Sequence, residues 1–279
     1  MTKIDCLWRG GTGSDLCAQA FGVCCVIVAT ENGESSSNNT LIYRAAFNAG
    51  VDLTYTIGRM NNHICQYRLD VKTLNLYQVE SDGSCLFDWM TVSQDTKFQK
   101  VCGITENVHY YIDVEDSATF TFHTDASQSY DRSWEIYVQQ LTCDETGTAA
   151  PEGCGQWYWG TSGKIDIWSN VDPGQQNWYY LDGQNYAVCV RWEAGYCSIT
   201  YSETNIFQPR CNDLFERPGQ TSLQAACVNS PPSGALTYTL DEGKQHFYIQ
   251  FLDTTNQHTG SISNPYKNPS ITYTQNPCI

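Results

Sequence analysis

Along three segments the chain alternates apolar and polar side chains residue by residue. Ala118, Phe120 and Phe122 alternate with Thr119, Thr121 and His123. Trp134, Ile136 and Val138 alternate with Glu135, Tyr137 and Gln139, and Phe247, Ile249 and Phe251 alternate with Tyr248 and Gln250. A strand points successive side chains to opposite faces, so the pattern predicts strands with one face on a core and one toward solvent. Short strands separated by polar turns predict antiparallel sheets packed face to face, and no segment carries a sustained helical period. The expected class is all-β. Residues 1–31 read differently: Cys6, Cys17, Cys24 and Cys25 sit among Gly10, Gly11, Gly13 and Gly22. So short a segment cannot bury enough apolar surface alone, so crosslinks are expected to hold it.

The strand pattern recurs. Cys65, Cys85, Cys102, Asp125 and Cys143 are followed, roughly 125 to 135 residues later, by Cys197, Cys211, Cys227, Asp253 and Cys278 in the same order. Both halves close with a strand, then Gln, two residues and Cys: Gln140-Leu-Thr-Cys143 and Gln275-Asn-Pro-Cys278. Two copies of one domain are expected, at 32–143 and 154–279. The Thr-, Gly-, Ala- and Pro-containing stretch 144–153 reads as a linker between them.

Composition narrows the class of protein. The net charge is -15. Such a surface repels phosphate backbones and anionic lipids, so nucleic acid is not an expected partner; basic proteins and divalent cations are favoured. No run reaches membrane-spanning length, and no signal peptide is visible, since the apolar run Phe21 to Ala29 begins late and carries two cysteines. The chain reads as a mature form. Fourteen cysteines without zinc-ligand spacing point to disulfides and an oxidising, extracellular compartment. The sequon Asn38-Asn39-Thr40 makes Asn38 a glycosylation acceptor compatible with secretion.

Against this background several segments resemble the CUB-domain family. Cys85-Leu-Phe-Asp88 followed by Val101-Cys102-Gly103 is similar to the second half of a CUB domain, and Phe122-His-Thr-Asp125 running to Trp134-Glu-Ile-Tyr-Val138 is similar to its closing hairpin. Gly22-Val-Cys-Cys25, Asn39-Thr-Leu-Ile-Tyr43, Ile64-Cys-Gln-Tyr-Arg-Leu-Asp70, Tyr186-Ala-Val-Cys-Val-Arg191 and Gly195-Tyr-Cys-Ser-Ile199 resemble secreted two-CUB proteins of arthropods. The resemblance implies two jelly-roll-like β-sandwich domains after a Cys-rich N-terminal segment. It also implies the pairs Cys85–Cys102, Cys211–Cys227 and Cys154–Cys189, the matched pairs Cys65–Cys143 and Cys197–Cys278, and pairing of Cys6, Cys17, Cys24 and Cys25 among themselves. The first copy departs from the family in lacking the opening disulfide, with Asn32-Gly33 and Leu53-Thr-Tyr-Thr-Ile57 in its place.

Many CUB domains hold calcium with three acids, and the matching positions are Glu80, Asp88 and Asp125. Carboxylates from separate loops suit a hard cation that takes six to eight oxygens. The alternative reading is three solvated loop acids in an acidic protein. In the second copy the nearest equivalents are Glu203, Asp213 and Asp253, but Asp213 stands one residue closer to its cysteine, and a one-residue slip turns a strand side chain to the other face. By family analogy the acidic rim near Asp125 accepts a Lys or Arg of a protein partner.

Catalysis finds little support. His63, His109, His123, His246 and His258 form no HExxH motif, and no GxSxG or phosphate loop occurs. Trp157, Trp159 and Trp178 with Tyr179 and Tyr180 form either a sugar-stacking surface or core and rim aromatics. The expected function is a non-catalytic extracellular module that binds a protein, possible calcium included. The alternatives are a structural, self-assembling protein and a glycan binder.

Overall fold

A computed structural model describes residues 2–8, 11–17, 22–80, 83–95, 97, 99–143, 148–166, 170–171, 178–179, 181, 183–204, 213–216, 236–239, 246–253 and 270–278. The first half contains the short helix α1 (Lys3–Trp8) and ten strands: β1 (Thr12–Cys17), β2 (Gly22–Val28), β3 (Gly33–Ser35), β4 (Thr40–Phe47), β5 (Val51–Gly58), β6 (Ile64–Asn75), β7 (Trp89–Val92), β8 (Ile104–Asp113), β9 (Ser117–Thr124) and β10 (Arg132–Thr142). The second half contains β11 (Cys154–Tyr158), β12 (Ser162–Ile165), β13 (Asn170–Val171), β14 (Trp178–Tyr179), β15 (Asn185–Arg191), β16 (Tyr196–Thr204), β17 (Asp213–Glu216), β18 (Leu236–Thr239), β19 (His246–Asp253) and β20 (Ser270–Pro277). The all-β class is the one the alternation predicts.

The sequence repeat is a repeat of topology. One four-stranded sheet runs β3-β5-β9-β7, and its counterpart runs β11-β15-β19-β17. The order β4-β10-β6-β8 in the larger sheet is matched by β12-β20-β16-β18. The larger sheet is extended at both ends, by the β1–β2 hairpin beside β4 and by β13–β14 beside β8. Among the described residues three pairings are parallel rather than antiparallel: β2 with β4, β3 with β5, and β11 with β15. The last two are equivalent positions, where the opening strand of each copy enters at the edge of its sheet.

The alternating residues form the core as their spacing demands. Ala118, Phe120 and Phe122 on β9 and Trp134, Ile136 and Val138 on β10 are buried. The rings of Phe122 and Trp134 stack at 4.2 Å, and Phe47 meets Trp134 edge-on at 5.4 Å. This contact seats the β5–β9 sheet on the β10–β6 sheet. Removing a large aromatic from water contributes about 2–3 kcal/mol, so these few residues carry much of the first copy's stability.

Disulfides join Cys6–Cys25, Cys65–Cys143, Cys85–Cys102, Cys154–Cys189 and Cys197–Cys278. Cys65 and Cys197 open the equivalent strands β6 and β16, and their partners follow β10 and β20. Gly11 is required where the N-terminal segment is stapled, since a Cβ there would lie 2.5 Å from Cys25 Sγ. The side chain of Cys17, together with Cys211 and Cys227, lies outside the described residues.

The stretch read as a linker is pinned at its end. Ala150 N donates to Gln66 Oε1 at 2.7 Å and Gln66 Nε2 donates to Ala150 O at 3.2 Å, so β6 clasps the chain just before β11. Tyr111, Leu141, Ala150, Cys154, Trp157 and Cys189 form a second small apolar cluster around this point.

Candidate functional site: a buried ion pair under an acidic rim

Asp88 ends the loop before β7, and Arg132 is the first residue of β10. The disulfide Cys85–Cys102 and the paired backbone bonds between Met90 and Val101, at 2.8 and 2.9 Å, hold the Asp88 loop. Both side chains of the pair are fully enclosed. Arg132 Nε and Nη2 donate to the two oxygens of Asp88 at 2.8 and 3.0 Å, the bidentate arrangement that the planar guanidinium favours. The remaining donors reach three backbone carbonyls: Nη2 to Asp125 at 2.9 Å, and Nη1 to Gln128 and Tyr130 at 3.0 Å each. Asp88 in turn accepts the backbone N–H of Tyr77 at 2.7 Å and of Asp125 at 2.9 Å. A buried charge is tolerated when it is both paired and fully hydrogen-bonded, and this pair meets both conditions.

Around it the loop after β9 is tied down. Thr124 Oγ1 donates to the carbonyls of Ala49 and Val51 and accepts from Val51 N. Gly50 lets the loop approach, because a Cβ there would sit 2.5 Å from Ala126 N. Ser127 bonds the Asp125 carboxyl through its hydroxyl and also through its backbone N–H, which donates to Oδ1 at 2.6 Å, and these bonds, the hydroxyl's first, hold the carboxyl below its usual range. Tyr77 meets Phe87 and Tyr130 edge-on, and Tyr130 OH donates to Asn75. Asp125 itself is partly exposed on the rim.

The three acids expected to bind calcium are therefore not equivalent. Glu80 sits in a turn closed by Gly83 N donating to its carbonyl, Asp88 is enclosed, and Asp125 is partly exposed. Among the described residues only Cys154, Cys189 and His246 bring three metal-ligand atoms within 4.8 Å of one another, and those cysteines are bonded to each other. The acids do not fit the ion in this geometry, because the central carboxylate has both oxygens occupied by Arg132 and two backbone N–H groups. Glu203, Asp213 and Asp253 lie on β16, β17 and β19, with side chains outside the described residues; Asp213 and Asp253 are strand partners.

Sequence reasoning missed Arg132. A signal existed: it is the sole Lys or Arg between Lys100 and Lys164, in a chain with 15 such residues. A lone cation at the start of a core strand needs a buried counter-charge.

The remaining candidates separate. His123 is a strand residue whose Nδ1 pairs with Asp52 Oδ1 at 2.6 Å and whose ring stacks on Trp89 at 5.1 Å, with the Lys100 ammonium 4.8 Å from the Trp89 ring. Trp157 is buried, whereas Trp159 is half exposed with its ring 5.9 Å from the Arg68 guanidinium. Trp178 and Tyr179 are described as backbone only, and Tyr180 lies outside the described residues. Asn38 Oδ1 accepts the backbone N–H of Gln140 at 2.8 Å and of Asn39 at 2.9 Å.

Two titrating groups lie where the halves of the chain meet. Asp95, largely enclosed near Lys97 and Tyr110, has its pKa pushed up to about 6, burial being the main cause. His109, enclosed against Trp157 and near Arg68, is pushed down to about 4, again mainly by burial. The raised acid favours folding below its unfolded value and loses that contribution as pH rises toward 6. The lowered histidine favours folding above pH 6.5 and loses that contribution as pH falls toward 4. Between these limits the folded chain holds its proton on Asp95 and the unfolded chain holds it on His109, so the two slopes cancel. Asp95→Asn is expected to unmask the histidine. Relative to the parent, its stability should fall by up to about 3 kcal/mol between pH 6.5 and 4. Urea unfolding of both proteins across that range measures it; curves that stay parallel sink the assignment.

Residues 151–275 match the family model of the animal CUB domain. Among solved structures, the CUB1-EGF-CUB2 domains of rat MASP-1 are 13% identical, with a TM-score of 0.32, and the match covers 87% of this chain and 99% of that one. The CUB1-EGF-CUB2 domain of human MASP-1/3 is 14% identical, with a TM-score of 0.28 and coverage of 84% and 98%. The full extracellular region of zebrafish Gpr126/Adgrg6 is 8% identical, with a TM-score of 0.34 and coverage of 88% and 37%. No curated protein matches.

Proposed function

We propose that the chain is a secreted, non-catalytic recognition module with two CUB domains, at 32–143 and 154–279, that binds a basic extracellular protein through the acidic rim at Asp125. CUB domains are protein-interaction modules, and the repeated strand order supports the division in two. The disulfides support an oxidising compartment. The observation that carries the reading is a partly exposed carboxylate on a loop fastened from beneath by Arg132 and Asp88. A preordered charge of this kind loses little entropy when a Lys or Arg side chain arrives.

A lysine-rich peptide serves as the probe, titrated into the natively disulfide-bonded protein at low salt. Asp125→Asn is expected to weaken binding about tenfold, and Asp116→Asn, an exposed acid elsewhere, less than about twofold. Equal losses in the two variants would leave only general attraction to an acidic surface. A self-associating role is the second reading, favoured by the exposed Ile4, Leu7 and Trp8 of α1. Molar mass by light scattering over a concentration series separates it.

A further inference from the structure

We infer that Arg132 takes the place of a bound metal at the rim of the first half, so that this edge is ordered without calcium. The shell is complete on both sides. A guanidinium has five N–H donors, and here each has an acceptor: two go to Asp88 and one each to the carbonyls of Asp125, Gln128 and Tyr130. Two carboxylate oxygens and three carbonyl oxygens from separate loops thus converge on one buried cation. That is the donor chemistry a hard divalent ion uses, here spent on a covalently attached charge. The other two acceptor positions of Asp88 are filled by Tyr77 N and Asp125 N.

The arrangement also balances charge. Asp88 and Arg132 neutralise each other out of contact with water. An ion ligated by Asp88 would have to share a carboxylate with a guanidinium at 2.8 Å, or expel the guanidinium and strip three carbonyls of their donor. Either arrangement leaves a buried charge or buried polar groups uncompensated. Among the described residues Glu80, Asp88 and Asp125 do not form a three-ligand cluster of metal size. The loop carrying Asp125 is consequently fixed by folding alone, and its geometry should not respond to calcium concentration or to chelators.

The test uses the full, natively disulfide-bonded chain and calcium as its own probe. Thermal melting in chelator and in about 5 mM calcium is expected to give the same midpoint within about 1 °C, and calorimetry no saturable heat at the rim. Saturable calcium binding that disappears in Glu80→Gln overturns the inference. Binding that survives that change lies elsewhere in the chain and leaves the rim's independence standing. Arg132→Lys keeps the charge but offers a compact ammonium with three donors, so its midpoint should fall while remaining insensitive to calcium. A midpoint for Arg132→Lys equal to that of the parent would also overturn the inference, because the five-donor shell would then be dispensable. If that variant does not fold, the parent protein with and without calcium still decides the matter.

Discussion

Arg132→Met is expected to lower the unfolding free energy of the first half by about 3–5 kcal/mol, the cost of stranding a buried carboxylate. Asp88→Leu should cost a similar amount for the opposite reason, by leaving a guanidinium without its counter-charge. The double variant tells the most. An isolated buried ion pair can often be replaced by apolar groups with little loss of stability. Here the pair also satisfies five backbone groups: Tyr77 N, Asp125 N, and the carbonyls of Asp125, Gln128 and Tyr130. Each orphaned group costs about 1–3 kcal/mol if water cannot reach it, so the double variant should recover only part of the loss. Denaturant unfolding of the two single variants and the double closes the cycle. Full recovery would mean that the backbone bonds add nothing and that the pair is an ordinary ion pair.

The second large effect concerns Cys65–Cys143, which closes a loop spanning 78 residues from the start of β6 to the end of β10. Constraining so long a loop restricts the unfolded chain, and replacing both cysteines with serine should cost about 4 kcal/mol. The bond joins neighbouring strands, as the pairing of Thr142 with Ile64 shows, so the native fold survives its loss and the effect appears as a lower denaturant midpoint with the fold intact. An unchanged midpoint would place the stabilisation elsewhere. Equivalent treatment of Cys197–Cys278 compares the two halves directly.

Much of the fold was legible because strands advertise themselves. Residues 118–123 and 134–139 alternate so regularly that both their strand character and their inward faces follow from the side-chain period. The repeat was legible because cysteines and their spacing survive where apolar residues interchange freely. The parallel entry strands β3 and β11 were not, since three to five residues carry too short a pattern to fix direction. The site was half legible. Cys-x-x-Asp located Asp88 and the strand end located Asp125, but the family pattern supplied calcium as their common partner. What the residues actually meet depends on Arg132, which lies 44 residues after Asp88. Pairing over that distance is set by tertiary register and not by any local motif. The one clue, a solitary cation in a long uncharged-to-acidic stretch, required asking what balances it.

The two short hairpins at the margins of the larger sheet have a further consequence. The β1–β2 hairpin pairs with the start of β4 at Thr40 and Leu41, and β13 meets β8 at Ile104, so each border strand of the β4-β10-β6-β8 order is covered over part of its length. Exposed strand borders are templates for adding strands from other molecules. The Cys6–Cys25 crosslink holds in place the hairpin that covers part of the β4 border. Reduction of this bond or clipping in the first thirty residues is therefore expected to uncover that stretch of β4 as a place for strand addition.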